Sequence, residues 1–303
     1  MKRISTYIFL LVFYWSFAVQ AQQGQVVTES FPSTILKREM GYSVYLPASY
    51  GTSNRAYPVL YLLHGMGGNH TDWVNRGEVA HIASTSAQEG KSPEMIIIMP
   101  DGLIDAFYIN NYDKSVRWED YFYEELIPTV EKKYRIVANR TYRAIAGLSM
   151  GGQGSVYHAF KHKELFSSCY AMSGAFLEIT PLKEGQKPEF FENVYVKLWG
   201  PRQKDGIHAQ FRAQSVHEMV KAMPEYSPQA AWPAPSGPGL PRLTIDCGDD
   251  DFLLRNNTSL VHLLKDKKIP FEFRVREGAH TWEYWRTGLA LALEFVGDGF
   301  RNY

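Results

Sequence analysis

Arg143-Ala-Ile-Ala-Gly147-Leu-Ser149-Met-Gly151-Gly152 is the stretch whose reading decides the fold. A short apolar run, Arg143–Ala146, leads straight into Gly-x-Ser-x-Gly, and a helical pattern from Gln153 to Lys163 leads straight out. A serine on a tight strand-to-helix turn is forced into strained backbone geometry, so its flanking positions must lack a bulky Cβ. Gly147 and Gly151 meet that need, and Gly152 and Gly154 let the helix pack close to the sheet. The Ser149 hydroxyl then projects at the carboxyl ends of the strands, where open α/β sheets bind ligands. The competing reading is a purely structural turn. The strand–serine–helix context favours a nucleophile.

A serine hydroxyl needs a base, and the base needs an acid to orient it. In turns of this kind the acid follows the serine in the chain and the histidine comes last. Of nine histidines, only His280 falls after a late strand pattern (Phe271–Arg276) and before the final helix. His158 and His162, four apart on the helix after the serine, read as a solvated surface pair without a carboxylate ligand beside them. The acid belongs just beyond the strand Leu243–Cys247, where Gly248-Asp-Asp-Asp-Phe252 offers Asp249, Asp250 and Asp251. Periodicity does not separate the three. Two backbone N–H groups must also face the developing oxyanion. Met150 follows the serine, and Met66 lies in the Gly-rich loop His64-Gly-Met-Gly-Gly68 that closes an earlier strand.

Outward from this centre, strands and helices alternate. Tyr42–Pro47, Pro58–Leu63, Met95–Met99, Cys169–Met172, Leu243–Cys247 and Phe271–Arg276 join Arg143–Ala146 as strands, several of them continuous apolar runs. Trp118, Phe122, Leu126, Val130 and Tyr134 recur at helical spacing, as do Trp285, Leu289, Ala292, Leu293 and Val296. The expectation is one α/β domain, residues 22–303, with a mostly parallel central sheet covered by helices on both faces. From about 176 to 240 no strong strand appears, and six prolines fall between Pro224 and Pro241. This stretch reads as an insertion before the acid-bearing strand, folded over the same edge of the sheet and carrying aromatic side chains to the substrate.

The first 21 residues read as an address. Lys2 and Arg3 precede an apolar run from Tyr7 to Val19, and Ala18-Val-Gln-Ala21 offers a cleavage site. That is a secretory signal peptide rather than a span, since the run falls short of the ~20 residues a bilayer needs. The expected location is secreted or periplasmic, with no membrane span after cleavage. With 45% hydrophobic and 21% charged residues, disordered, collagen-like and coiled-coil classes are excluded. Lys+Arg and Asp+Glu both number 32, so there is no basic footprint for nucleic acid. Cys169 and Cys247 sit inside strand patterns and read as buried free thiols. Aromatic residues make up 14% of the chain, which suits either a core or a sugar- or phenol-binding cleft.

Val44-Tyr-Leu-Pro47, Pro58–Gly65, Met99-Pro-Asp-Gly102, Trp118–Pro128, Arg143–Gly152 and His280-Thr-Trp282 together resemble the secreted esterases of carbohydrate esterase family one. That group includes feruloyl esterases, acetyl xylan esterases and relatives of S-formylglutathione hydrolase. The resemblance runs from about Phe31 to the C-terminus, except across the insertion. It implies an α/β-hydrolase fold, no metal, no cofactor, and ester substrates on polysaccharides or phenolic acids. It also picks Asp251 as the acid, because Gly248, Asp251, Phe252 and Leu253 match the family's spacing. The resulting expectation is a secreted serine carboxylesterase with Ser149, Asp251 and His280 as catalytic residues and Met66 and Met150 at the oxyanion. Trp118, Trp232 and Trp282 are expected to contact a substrate with a short or aromatic acyl group on a carbohydrate. The alternatives are acyl transfer to a sugar hydroxyl and a non-catalytic carbohydrate-binding protein on a hydrolase scaffold.

Overall fold

The computed structural model describes residues 23–179, 192–226 and 239–301. The N-terminal signal stretch and Trp232 lie outside them. Eight strands form one sheet in the order β1-β2-β4-β3-β5-β6-β7-β8. β1 (Gln25–Ser33) and β2 (Arg38–Leu46) make an antiparallel hairpin, and β2 also pairs antiparallel with β4 (Ile96–Pro100). The remaining strands run parallel to β4: β3 (Val59–Leu63), β5 (Arg143–Leu148), β6 (Ser168–Met172), β7 (Arg242–Gly248) and β8 (Glu272–Arg276). Every strand expected from the sequence is present. β1 was not anticipated, because an edge strand with one wet face and a proline near its end carries a weak apolar signal.

The continuous apolar runs occur where a strand is covered on both faces. All residues of β3 and β4 are buried. Val59, Tyr61, Leu63, Ile96 and Ile98 join one core with Phe122, Val156 and Leu260, from helices on that side. Leu60, Leu62, Ile97 and Met99 join the other with Val79, Leu289 and Val296. Alternate side chains thus serve opposite layers, each buried aliphatic contributing roughly 1.5–3 kcal/mol.

The chain leaves β3 for β4 on one side and returns to β5 on the other. The carboxyl ends of β3 and β5 therefore lie side by side, with Leu63 in register with Gly147. Such a reversal opens a crevice at the sheet's carboxyl edge. Cys169 is in register with Leu243 and Cys247 with Val275, so the two thiols sit at different heights and stay free and buried. Burial pushes both thiols up to about 12.

Two expectations need correction. Among the described residues of the insertion, Tyr195, Trp199 and Phe211 turn inward and are at most 5% exposed, whereas Tyr226 is half-buried and Phe190, Phe191 and Trp232 lie outside the described residues. Trp199 packs edge-on against Phe107 at 5.9 Å and Phe211 at 5.1 Å, sealing the insertion onto the segment after β4. His158 and His162 are not a solvated pair either. His158 is fully buried, its Nε2–H donating to Tyr108 O at 2.8 Å and its Nδ1 accepting the Tyr123 hydroxyl at 2.9 Å. His162 meets Glu119 at 3.0 Å.

Burial lowers the His158 pKa to about 4, from 6.5 for a free imidazole, although nearby Glu119 opposes the shift. Between those values the unfolded chain binds a proton that the native chain refuses, so stability falls as pH drops through that window. Urea denaturation at pH 7, 5.5 and 4.5 should show this loss, on the order of 2–3 kcal/mol from His158. In His158→Gln the dependence should flatten; an unchanged slope would show that His158 does not carry it.

Candidate active site

Ser149 sits between β5 and the helix Met150–Lys161 with φ +53° and ψ −116°, a conformation a non-glycine residue adopts only under constraint. The constraint is visible on both sides. A Cβ on Gly147 would fall 2.4 Å from Gly151 O, and one on Gly151 would fall 2.6 Å from both Leu63 O and His64 O. The elbow is also bolted to the end of β6: Ser149 N–H donates to Met172 O at 2.9 Å, and Ser149 O accepts Ala175 N–H at 3.0 Å. The reading of Gly147 and Gly151 holds, whereas Gly154 faces the Tyr108 ring rather than the sheet.

β7 leads into the three carboxylates Asp249, Asp250 and Asp251. Asp249 and Asp250 are exposed beyond its end, whereas Asp251 is buried. His280 joins it to the serine: Asp251 Oδ2 accepts from His280 Nδ1 at 2.8 Å, and His280 Nε2 lies 2.9 Å from Ser149 Oγ. Burial pushes the Asp251 carboxyl up, but hydrogen bonds from His280, the Leu253 N–H and Ser173 outweigh it and hold the group below its ordinary range. It stays ionised. Asp249 has a different task, accepting the Gly278 N–H at 2.9 Å and tying the histidine loop to β7.

Sequence reasoning missed the residues that hold this arrangement. Ser173, in a left-handed conformation (φ +48°) at the end of β6, hydrogen-bonds Asp251 and accepts the Trp285 indole N–H at 3.1 Å. Trp285 in turn stands edge-on to the His280 ring at 4.8 Å. Asp246, fully buried in β7, accepts the Tyr170 hydroxyl at 2.7 Å, the Tyr284 hydroxyl and the Arg276 guanidinium at 3.0 Å. Arg276 and Tyr284 bracket the loop that carries His280, so Asp246 anchors both of its ends. Position alone hinted at these residues, since all stand near the carboxyl edge of the sheet.

The loop after β3 abuts the serine. A Cβ on Gly65 would stand 2.7 Å from Leu148 Cδ1 and 3.5 Å from Ser149 Cβ. His64 locks the loop: its Nδ1–H donates to Gly65 O at 2.8 Å, its Nε2 accepts the Gly102 N–H at 2.7 Å, and its own carbonyl accepts the Tyr108 hydroxyl at 2.7 Å. Gly67 and Gly68 spend their N–H groups on Ile104 O and Gly65 O. Met66 lines the cleft beside Ser149. The Met150 N–H opens a helix, where the first donors have no acceptor in their own helix.

The resulting cleft encloses about 650 Å³. Its walls include Leu148, Trp282 and Trp285, and its rim includes the charged groups Asp72, Arg76 and Arg286. Trp282 lines the cleft but is 8% exposed, packed edge-on against Trp73 with Arg76 over its ring. Trp118 does not line it. It is fully buried, stacked on Phe122 at 5.0 Å and donating its indole N–H to Asp101 O at 2.9 Å, so its expected contact with substrate is withdrawn. The periodicity that marked its helix also marks a core-facing stripe. Among the described residues, one trio could geometrically hold a cation, the exposed Asp249, Asp250 and Glu277, and it lies outside the cleft lining.

Comparison with known proteins agrees with this geometry. The family model described as "Putative esterase" matches residues 33–296. An acetyl esterase of Caldicellulosiruptor saccharolyticus is 24% identical over 237 residues, 78% of this chain and 82% of its own length. An endo-1,4-beta-xylanase/feruloyl esterase of Xylanibacter ruminicola is 28% identical over 206 residues, 66% of this chain but only 28% of that longer protein. A solved ferulic acid esterase is 33% identical, with a TM-score of 0.75 over 92% of this chain and 99% of its own. An S-formylglutathione hydrolase from Agrobacterium tumefaciens shares the fold, with a TM-score of 0.73 at 21% identity over 92% of this chain and 97% of its own. Family model, solved relative and fold agree: the chain belongs to the esterase family and is a carboxylic ester hydrolase of the α/β-hydrolase fold.

Proposed function

We propose that this esterase acts through an acyl-enzyme on Ser149 and removes short or aromatic acyl groups from a carbohydrate outside the cytoplasm. The observation that carries the mechanism is the continuous hydrogen-bond line Ser149–His280–Asp251, at 2.9 and 2.8 Å, opening into the 650 Å³ cleft. Ser149 Oγ attacks the ester carbonyl as His280 Nε2 takes its proton. The Asp251 carboxylate holds the Nδ1–H tautomer and stabilises the imidazolium. The N–H groups of Met66 and Met150 receive the oxyanion, each such donor being worth roughly 10²–10³ in rate. His280 returns the proton to the leaving alcohol, and a water activated by the same imidazole releases the acid.

The substrate reading rests on the walls. Trp282 and Trp285 line the cleft but are largely buried, with Arg76 over the Trp282 ring, and the charged groups beside them suit a hydroxylated alcohol better than a lipid. The relatives' names, acetyl esterase and feruloyl esterase, fit the same reading. Export rests on the leader-like stretch ending at Ala21; among the described residues no helix is long and apolar enough to cross a membrane.

Three measurements test this reading. Ser149→Ala should fold normally and lose turnover, keeping at most the ~10³–10⁴-fold over water that binding and oxyanion donors supply; wild-type hydrolysis would remove Ser149 as nucleophile. Asp251→Asn should cost on the order of 10⁴ in kcat because the amide favours the wrong histidine tautomer. Asp249→Asn keeps an oxygen for the Gly278 N–H and Asp250→Asn removes only an exposed charge beside Asp249 and Glu277, so both should stay near wild type; a large loss at either, with Asp251→Asn active, would move the acid. Finally, p-nitrophenyl acetate, methyl ferulate and acetylated xylan should be cleaved, and p-nitrophenyl esters should fall away steeply beyond about butyryl. Efficient hydrolysis of long-chain triglycerides would overturn the substrate class and leave the catalytic line intact.

A further inference from the structure

Phe252 follows the buried acid Asp251, and its ring stands 4.6 Å from that of His280, tilted by 49°. The residue is 73% exposed. Among the described residues it is the one phenylalanine or tryptophan that is neither buried nor half-buried. A lone exposed apolar side chain ordinarily means little. This one is placed by the turn that holds the acid. Asp251 Oδ1 accepts the Leu253 N–H at 2.8 Å, Asp251 O accepts the Leu254 N–H at 2.9 Å, and Leu253 packs into the core. The turn that buries residues 251 and 253 thus sets residue 252 outside, against the imidazole. Stability does not call for a phenyl ring there, because a ring left in water gains little of the burial energy that aromatic side chains supply in cores.

The chemistry of His280 decides what that ring can meet. In the proposed mechanism its Nε2 takes the Ser149 proton and hands it to the leaving oxygen, so the alcohol of the ester lies against the imidazole. His280 lines the cleft and Phe252 does not. A methyl group on the leaving oxygen is too short to pass the imidazole, whereas an alcohol of sugar size extends beyond it to the exposed ring. The apolar CH face of a sugar stacks on a flat aromatic face, and its hydroxyls need acceptors. Asp249 and Asp250 stand exposed on the same turn, and with Glu277 their carboxylates lie within 4.8 Å of one another. They accept hydroxyl donors and together repel an anionic group. An uncharged sugar suits this surface. We infer that Phe252 is the specificity-determining residue on the alcohol side of the scissile ester, the platform on which a neutral sugar ring of the leaving alcohol stacks. The inference rests on the carbohydrate ester proposed above and names the side chain that recognises it.

The test compares esters that share an acyl group and differ in alcohol: acetylated xylotriose against methyl acetate, and feruloyl arabinose against methyl ferulate. p-Nitrophenyl esters are left aside, because their aromatic leaving group would itself stack on the ring. In Phe252→Ala the ratio of kcat/KM for sugar ester over methyl ester should fall roughly 5-fold or more, the scale of one stacked ring, with the loss in KM rather than kcat. Phe252→Tyr keeps the flat face and should restore the ratio. An unchanged ratio in Phe252→Ala would overturn the inference, whether neither ester class loses activity or both lose it equally; in the second case the ring supports His280 instead. A Phe252→Tyr enzyme with a ratio as low as that of Phe252→Ala would overturn it as well. Wild-type cleavage of the methyl esters and of neither sugar ester would remove the carbohydrate reading and the platform with it. Wild-type cleavage of the sugar esters, with an unchanged ratio in Phe252→Ala, removes the platform alone.

Discussion

The structure depends on one strained residue. Ser149 holds φ +53° because the backbone around it has nowhere else to go, with Gly147 against Gly151 O on one side and Gly151 against the carbonyls of β3 on the other. Strain of this kind costs on the order of 1–3 kcal/mol and persists only where the surroundings over-determine it. Here the surroundings are three central strands: β5 carries the serine, β3 limits the helix after it, and β6 accepts the Ser149 N–H. The same close packing sets the hydroxyl at the end of β5, within 2.9 Å of His280 Nε2.

From that point the chemistry is a matter of strand order. Because β3 and β5 are neighbours while β4 lies on the far side of β3, the Met66 loop and the serine meet at one crevice. β6, β7 and β8 follow in sequence across the sheet, so Ser173, Asp251 and the His280 loop arrive at the same edge in chain order. Two buried carboxylates in β7 and just after it divide the work. Asp246 spends its oxygens on Tyr170, Tyr284 and Arg276 and stays structural, whereas Asp251 keeps one oxygen for His280.

Much of this was legible in the sequence because the signals are local. A glycine-flanked serine between a strand and a helix has few other physical meanings, and apolar runs closed by Gly or Pro read as covered strands. What was not legible depended on faces. Trp118 and Trp285 both stand at helical spacing and both are buried, yet Trp118 stacks on Phe122 and Trp285 stands edge-on to His280. Burial separates Asp251 from Asp249 and Asp250, and no periodicity within a turn encodes burial. Tyr195, Trp199 and Phe211 of the insertion looked like a sugar platform but pack inward. Phe252 and Leu253 read alike as apolar residues after the acid, yet one is exposed and the other buried.

The central claim is that ester cleavage passes through a covalent bond to Ser149, made possible by His280. Mass spectrometry of the full chain after exposure to a fluorophosphonate, followed by peptide mapping, tests it most directly. The account predicts one adduct per chain, carried by the peptide containing Ser149, and almost none in His280→Ala under the same conditions. An adduct on any other serine, Ser173 included, or undiminished labelling without the imidazole, would contradict it.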